Sequence, residues 1–168
     1  NQKIIELMKL KLKKNKGLYP KNKIDSFLKV LPNEIYLNNY QKKIIKFLKI
    51  IQKYKKKTHI QISQNKQKSA TEIIVYTKDK PGLLYRLSGA VSISGFNVIE
   101  AKVSTLNNGM ALDVLWVRDL NGSMLDSLYH FSKLEEILYK ILSNNFSLKE
   151  RIKNEKDKYL KKNLFKIN

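Results

Sequence analysis

The chain has 168 residues, a formal net charge of +20 at pH 7 and no cysteine. That length suits one domain plus an extension, and the missing cysteine excludes a disulfide framework, thiolate catalysis and a thiolate metal site. No run of about 18 apolar residues occurs, so no membrane-spanning helix is expected.

The charge is unevenly spread. Residues 1–57 carry +14, residues 58–70 carry +2, residues 71–119 carry zero and residues 120–168 carry +4. The basic residues are 31 Lys and 3 Arg, whereas readers of base edges and phosphates favour the forked guanidinium. A solvated lysine coat therefore fits better than specific nucleic-acid binding. The Lys-rich start is too interrupted by charge to be a signal peptide. A cytoplasmic location is expected. A first residue Asn1 in place of Met leads one to expect a piece of a longer chain.

In chain order, residues 1–57 read as a Lys-rich helical linker. Ile4, Ile5, Met8 and Leu12 recur at helical spacing until Gly17-Leu18-Tyr19-Pro20 breaks the pattern. Ile24–Leu31 is a second short helix, ended by Pro32 because the residue before proline avoids the α region. Asn38–Lys57 is a third helix, with Tyr40, Ile44, Phe47, Ile51 and Tyr54 along one stripe and lysines largely off it. Such a basic amphipathic helix suits either a membrane surface or, more plainly, a neighbouring domain. Residues 58–70 form a short strand, His59–Ser63, and a polar loop, Gln64–Ala70.

The stretch Thr71–Asp119 organises the rest. Thr71–Thr77 is β-branched and aromatic, as a strand requires. Asp79-Lys80-Pro81-Gly82 breaks it, since Pro81 lacks an N–H and fits a first helical turn. Leu83, Leu84, Leu87, Ala90 and Val91 then follow helical spacing, and Gly95 closes that helix. Asn97–Thr105 alternates, with Ile99, Ala101 and Val103 on one face and Glu100, Lys102 and Ser104 on the other. Asn107-Asn108-Gly109 is a hairpin turn, and Met110–Arg118 a third strand. A helix is expected from Ser123, with Asp126 in a weak capping box and Leu128, Phe131, Leu134, Leu138 and Ile141 on one face. Phe146–Lys162 reads as a loosely packed charged insert, and residues 163–168 as a fourth strand.

This pattern resembles an ACT domain, whose usual first strand-to-helix junction is the D-x-P-G-L-L seen at Asp79 to Leu84. Asn108-Gly109-Met110-Ala111-Leu112-Asp113 followed by Trp116-Val117-Arg118-Asp119 is similar to the first ACT repeat of the bifunctional uridylyltransferase/uridylyl-removing enzymes. The run Phe27–Pro32 with Tyr36 resembles the segment that precedes the ACT pair there. Lys80 departs from the His or Arg usual before the proline, and Asn108 from the usual Asp. The resemblance implies an α+β, ferredoxin-like βαββαβ domain over residues 71–168, with its core at 71–142, behind a helical linker. It implies glutamine as effector, the PII signal protein as target of the parent enzyme, and a second ACT module or dimer mate as partner.

Catalytic constellations are missing from the sequence. Gly122-Ser123 has no D-x-D after it to hold Mg²⁺ for nucleotidyl transfer, so any Mg²⁺ belongs to the parent enzyme. His59 and His130 lack a ligand set for a His-Asp metal centre. No active site and no cofactor are expected in this segment. A binding site is. Asp79, Pro81, Gly82, Leu83 and Leu84 place backbone N–H groups at a helix start, which suits the carboxylate of an amino acid. The Asp79 side chain either caps those amides or contacts ligand. Gly95, Asn97 and Val98 would, by resemblance, face the Asp79 turn of another module, where an amide both donates and accepts. The third strand is apolar on both faces, so its second face should be covered by another ACT module, a dimer mate or the upstream helix. Asp113, between those apolar residues, would need partners. The rival readings are an ACT domain serving another enzyme or standing alone, and a basic module binding nucleic acid or membrane through residues 1–57.

Overall fold

A computed structural model describes residues 3, 6, 7, 10, 24–32, 35, 43–125 and 128–143. Among the described residues, α1 (Ile24–Val30) and α2 (Ile44–Tyr54) precede the strands. They are followed by β1 (His59–Asn65), β2 (Ala70–Lys78), α3 (Leu83–Ile93), β3 (Phe96–Lys102), β4 (Met110–Asp119) and α4 (Leu128–Leu142). The strands form one sheet in the order β1-β2-β4-β3. Asp79 N–H meets Gly109 at one end, and Arg118 meets Ser69 at the other, so β2 and β4 run antiparallel. The result is an α+β, ferredoxin-like ACT architecture with a helical segment ahead of the sheet.

The fourth strand of this sheet is β1, which the sequence reading set apart as a short strand before the domain. It lies at the sheet edge beside β2. Residues 163–168, expected as the closing strand, lie outside the described residues. So do the 146–162 insert, Asp126 of the capping box, and Ile4, Ile5, Met8, Leu12, Tyr36 and Tyr40.

The chain divides into two compact units. The first comprises Asn1–His59, Ile74–Asp79 and Lys102–Val114. Its core includes Leu28, Leu31 and Ile35, then Ile44, Phe47, Leu48, Ile50 and Ile51 of α2. Leu48 and Ile50 widen the expected stripe, because this helix is buried on more than one narrow face. The Tyr76 hydroxyl donates to the Lys55 carbonyl at the end of α2, and Thr58 bonds Thr77 at 2.8 Å. Ile74–Tyr76 and Met110–Val114 are buried with them. The upstream helix α2 belongs to this same unit.

The second unit comprises Ile60–Ile73, Lys80–Ala101 and Leu115–Asn168. Here α3 packs on α4. Leu87, Ala90 and Val91 meet a core that includes Leu134, Leu138 and Ile141. The Arg86 guanidinium donates to the Ile141 carbonyl at the end of α4, satisfying a group the helix leaves open. The expected Gln64–Ala70 loop is shorter, since β1 runs to Asn65 and β2 starts at Ala70; between them Lys66–Lys68 makes a 3₁₀ turn that Asn65 caps by accepting from the Lys68 N–H at 3.1 Å.

The strand β3 is an edge strand. Its alternation is real, but the apolar set Ile99, Ala101 and Val103 is the exposed one, with Ile99 at 45% and Val103 at 56%. The face carrying Val98, Glu100 and Lys102 is the partly covered one.

Candidate functional site

The polar end of the first unit gathers around Asp79. β2 ends just before it, and its N–H donates to the Gly109 carbonyl at 3.2 Å. Its carboxylate Oδ2 accepts from Thr105 Oγ1 at 2.7 Å. No side chain caps the helix that follows. The partner that the structure gives the Asp79 carboxylate is the hydroxyl of Thr105.

Asp113 lies close by and is buried. Its Oδ1 accepts from the Ser104 N–H at 3.3 Å, the partner its burial demands. Burial pushes its carboxyl up to about 6; the Ser104 N–H opposes this and the Asp79 charge adds to it. The hairpin between β3 and β4 joins the same cluster. Gly109 N–H bonds the Leu106 carbonyl at 3.0 Å and Leu106 N–H bonds Met110 at 2.7 Å, with Gly109 at φ 77°. That is a three-residue loop needing a left-handed third residue, which glycine supplies without steric cost.

In the second unit, the turn Lys80–Gly82 starts α3. Leu83 N–H donates to the Lys80 carbonyl at 3.1 Å, and Arg86 N–H to Gly82 at 3.0 Å. Gly82 stands at the N-cap with φ 75°. The amides of a first helical turn have no helical carbonyl behind them and carry the positive end of the dipole, so they suit an anionic group. Pro81, Gly82 and Leu84 are exposed around this end, while Leu83 turns into the core. At the far end of α3, Gly95 adopts φ 86°; Asn97, the second residue of β3, is exposed, and Val98 is half-buried. The eleven residues of α3 separate these two groups, a span of about 16 Å at 1.5 Å per residue.

Both histidines sit in ring contacts. His59 stacks on Tyr54 with ring centroids 3.8 Å apart, and burial, aided by Lys53, lowers its pKa. His130 meets Phe96 edge-on. Among the described residues, no group of three or more His, Cys, Asp or Glu is placed to hold a metal ion. Nor is any helix among them long and apolar enough to cross a membrane.

Sequence reasoning missed Thr105, Ser104 and Asn107 as partners in the first unit. It also missed Glu72, whose buried carboxylate accepts from Trp116 Nε1 and from Asn65 Nδ2, each at 3.0 Å. A glutamate among the β-branched and aromatic residues of a strand is the available signal.

No protein-family model matches the chain. It is 26% identical over 139 residues to the bifunctional uridylyltransferase/uridylyl-removing enzyme of Gluconobacter oxydans, a match covering 81% of this chain and 15% of that enzyme. To the enzyme of the same description from Zymomonas mobilis it is 38% identical over 69 residues, 41% of this chain and 8% of that one. To that of Azospirillum brasilense it is 36% identical over 77 residues, 45% and 8% respectively. The chain thus spans no more than 15% of the length of these curated relatives.

Proposed function

We propose that this chain, homologous to part of the bifunctional uridylyltransferase/uridylyl-removing enzymes, is an amino-acid-sensing regulatory segment of such an enzyme, and that glutamine is the effector. The observation that carries this reading is the geometry of α3. Its N-terminal turn lacks a side-chain cap, and Gly82 lets a ligand carboxylate approach the backbone. The amide of Asn97 is the complementary group, but it lies at the opposite end of the same helix. A single amino acid is much shorter than about 16 Å. One ligand therefore meets both groups only when two modules pair, the turn of one facing Asn97 of the other.

The exposed apolar edge of β3 supports such pairing. An edge strand with exposed apolar side chains favours addition of another strand. The partner is a second ACT module, in tandem or in a dimer mate. Glutamine would shift the balance between UMP transfer to the PII signal protein and its removal only by binding one arrangement of the modules better than another. The catalytic steps, with their Mg²⁺, belong to other parts of the parent enzyme, in the cytoplasm.

Isothermal titration tests this. Glutamine should bind the chain extended through a second ACT module more tightly than the chain alone. Binding of a different amino acid in place of glutamine would overturn the effector assignment. Binding of none would overturn the sensing role.

A further inference from the structure

Three contacts in the first unit converge on the turn between β3 and β4. On one side Asn107 grips the end of α1. Its N–H donates to the Val30 carbonyl at 3.0 Å, and its Nδ2 to the Lys29 carbonyl at 2.7 Å. These carbonyls belong to the last helical turn, where no N–H of the helix can reach them. On the other side the Gly109 carbonyl holds the N–H of Asp79 at 3.2 Å, and Thr105 holds its carboxylate. The loop is closed upon itself by Leu106, Gly109 and Met110, and Asn108 Oδ1 accepts from the Met110 N–H at 3.1 Å. Leu106 anchors it in the core.

We infer that this hairpin turn couples the position of Asp79 to the docking of α1. The turn is cross-braced, so displacement at the Gly109 side is passed to Asn107. The helix α1 has seven residues. A helix that short does not stand alone in water, where about 12 to 15 residues are needed for even marginal stability. Its order depends on the buried Leu28 and Leu31 and on the carbonyl partners that Asn107 supplies. Releasing Asn107 frays the helix; freeing Asp79 loosens the turn that positions Asn107. Coupling of this kind is reciprocal. Its use as a relay from ligand to the segment ahead of the sheet rests on the sensing role proposed above; the coupling itself does not.

Hydrogen exchange on the full 168-residue chain tests it without ligand. Asn107→Ala, and Asn107→Asp, which keeps the shape but loses the amide donor, should speed exchange over residues 24–32 by about two- to tenfold. Thr105→Val touches Asp79 and not α1, yet it should speed exchange over the same residues; Thr105→Ser keeps the hydroxyl and should restore the wild-type rate. Unchanged exchange in β2 guards against general unfolding. Wild-type exchange at 24–32 in Thr105→Val, or in both Asn107 variants, would overturn the coupling. Glutamine calorimetry on the wild-type chain extended through a second ACT module reads the ligand assignment separately, so a silent titration there would count against that assignment alone.

Discussion

The indole N–H of Trp116 on β4 donates to Oε2 of Glu72 on β2 at 3.0 Å, although both side chains are nearly shut off from water, at 2% and 4% exposure. The same carboxylate oxygen takes Asn65 Nδ2. Lys68 places its ammonium 4.5 Å from the Trp116 ring centroid and pairs with Glu100. Arg118 closes the set by donating to the Ser69 and Lys68 carbonyls, both at 2.9 Å. A buried donor–acceptor pair across neighbouring strands fixes register, because a slip of one residue would move every side chain to the other face. Glu72→Ala leaves the indole and the Asn65 amide without this acceptor and should cost about 1–3 kcal/mol. Urea denaturation measures it. A loss below about 0.5 kcal/mol, typical of neutral surface changes, would show that the pair is incidental.

Asp113 predicts a pH dependence. Its folded pKa of about 6 lies above the ordinary aspartate value of 3.8. The folded state therefore holds the proton more tightly than the unfolded state. The favourable contribution is complete below about 3.8 and disappears as pH rises through about 6. Stability attributable to this group should fall by roughly 2–3 kcal/mol across that window. In Asp113→Asn the fall should be largely gone. An unchanged stability profile between pH 4 and 7 in that variant would contradict the assignment.

Gly82 stands at φ 75° with nothing within 4 Å of where a Cβ would sit. A substitution there meets no steric wall, only the cost of a left-handed backbone, about 1–2 kcal/mol for an L-residue. Gly82→Ala should lower stability by about 1 kcal/mol, and Gly82→Asn by less, since asparagine visits this region more readily. Thermal melts of both variants check the order. If Ala were as stable as Gly, the turn would have a different backbone.

The exposed β3 edge makes a separable prediction. Ile99→Lys and Val103→Lys alter side chains that are 45% and 56% exposed, so each should change stability by less than about 0.5 kcal/mol. Both should weaken association with a second module, as read by sedimentation velocity. Large destabilisation of the isolated chain would mean that this face is part of its own core.

Much of the fold could be read in advance because it rests on local signals. Pro81 and Gly82 mark the start of α3, Gly95 its end, and Asn107-Asn108-Gly109 the hairpin. Periodicity located α2, α3 and α4. What stayed hidden was strand order and facing. Nothing in His59–Asn65 says that it pairs beside β2, and nothing in Ile99, Ala101 and Val103 says that the apolar side of an alternating strand faces out. Both depend on which strand lies at the edge. The same holds for the site. Asp79 could be picked out by its turn, but Thr105 is 26 residues away and reaches it only through strand pairing.

The central claim is that the chain senses an amino acid through the turn that begins α3. The most direct measurement is calorimetric titration of glutamine, with glutamate and asparagine as comparators, against the chain carrying a second ACT module. The account predicts saturable binding that prefers glutamine. Equal binding of all three, or of none, would contradict it.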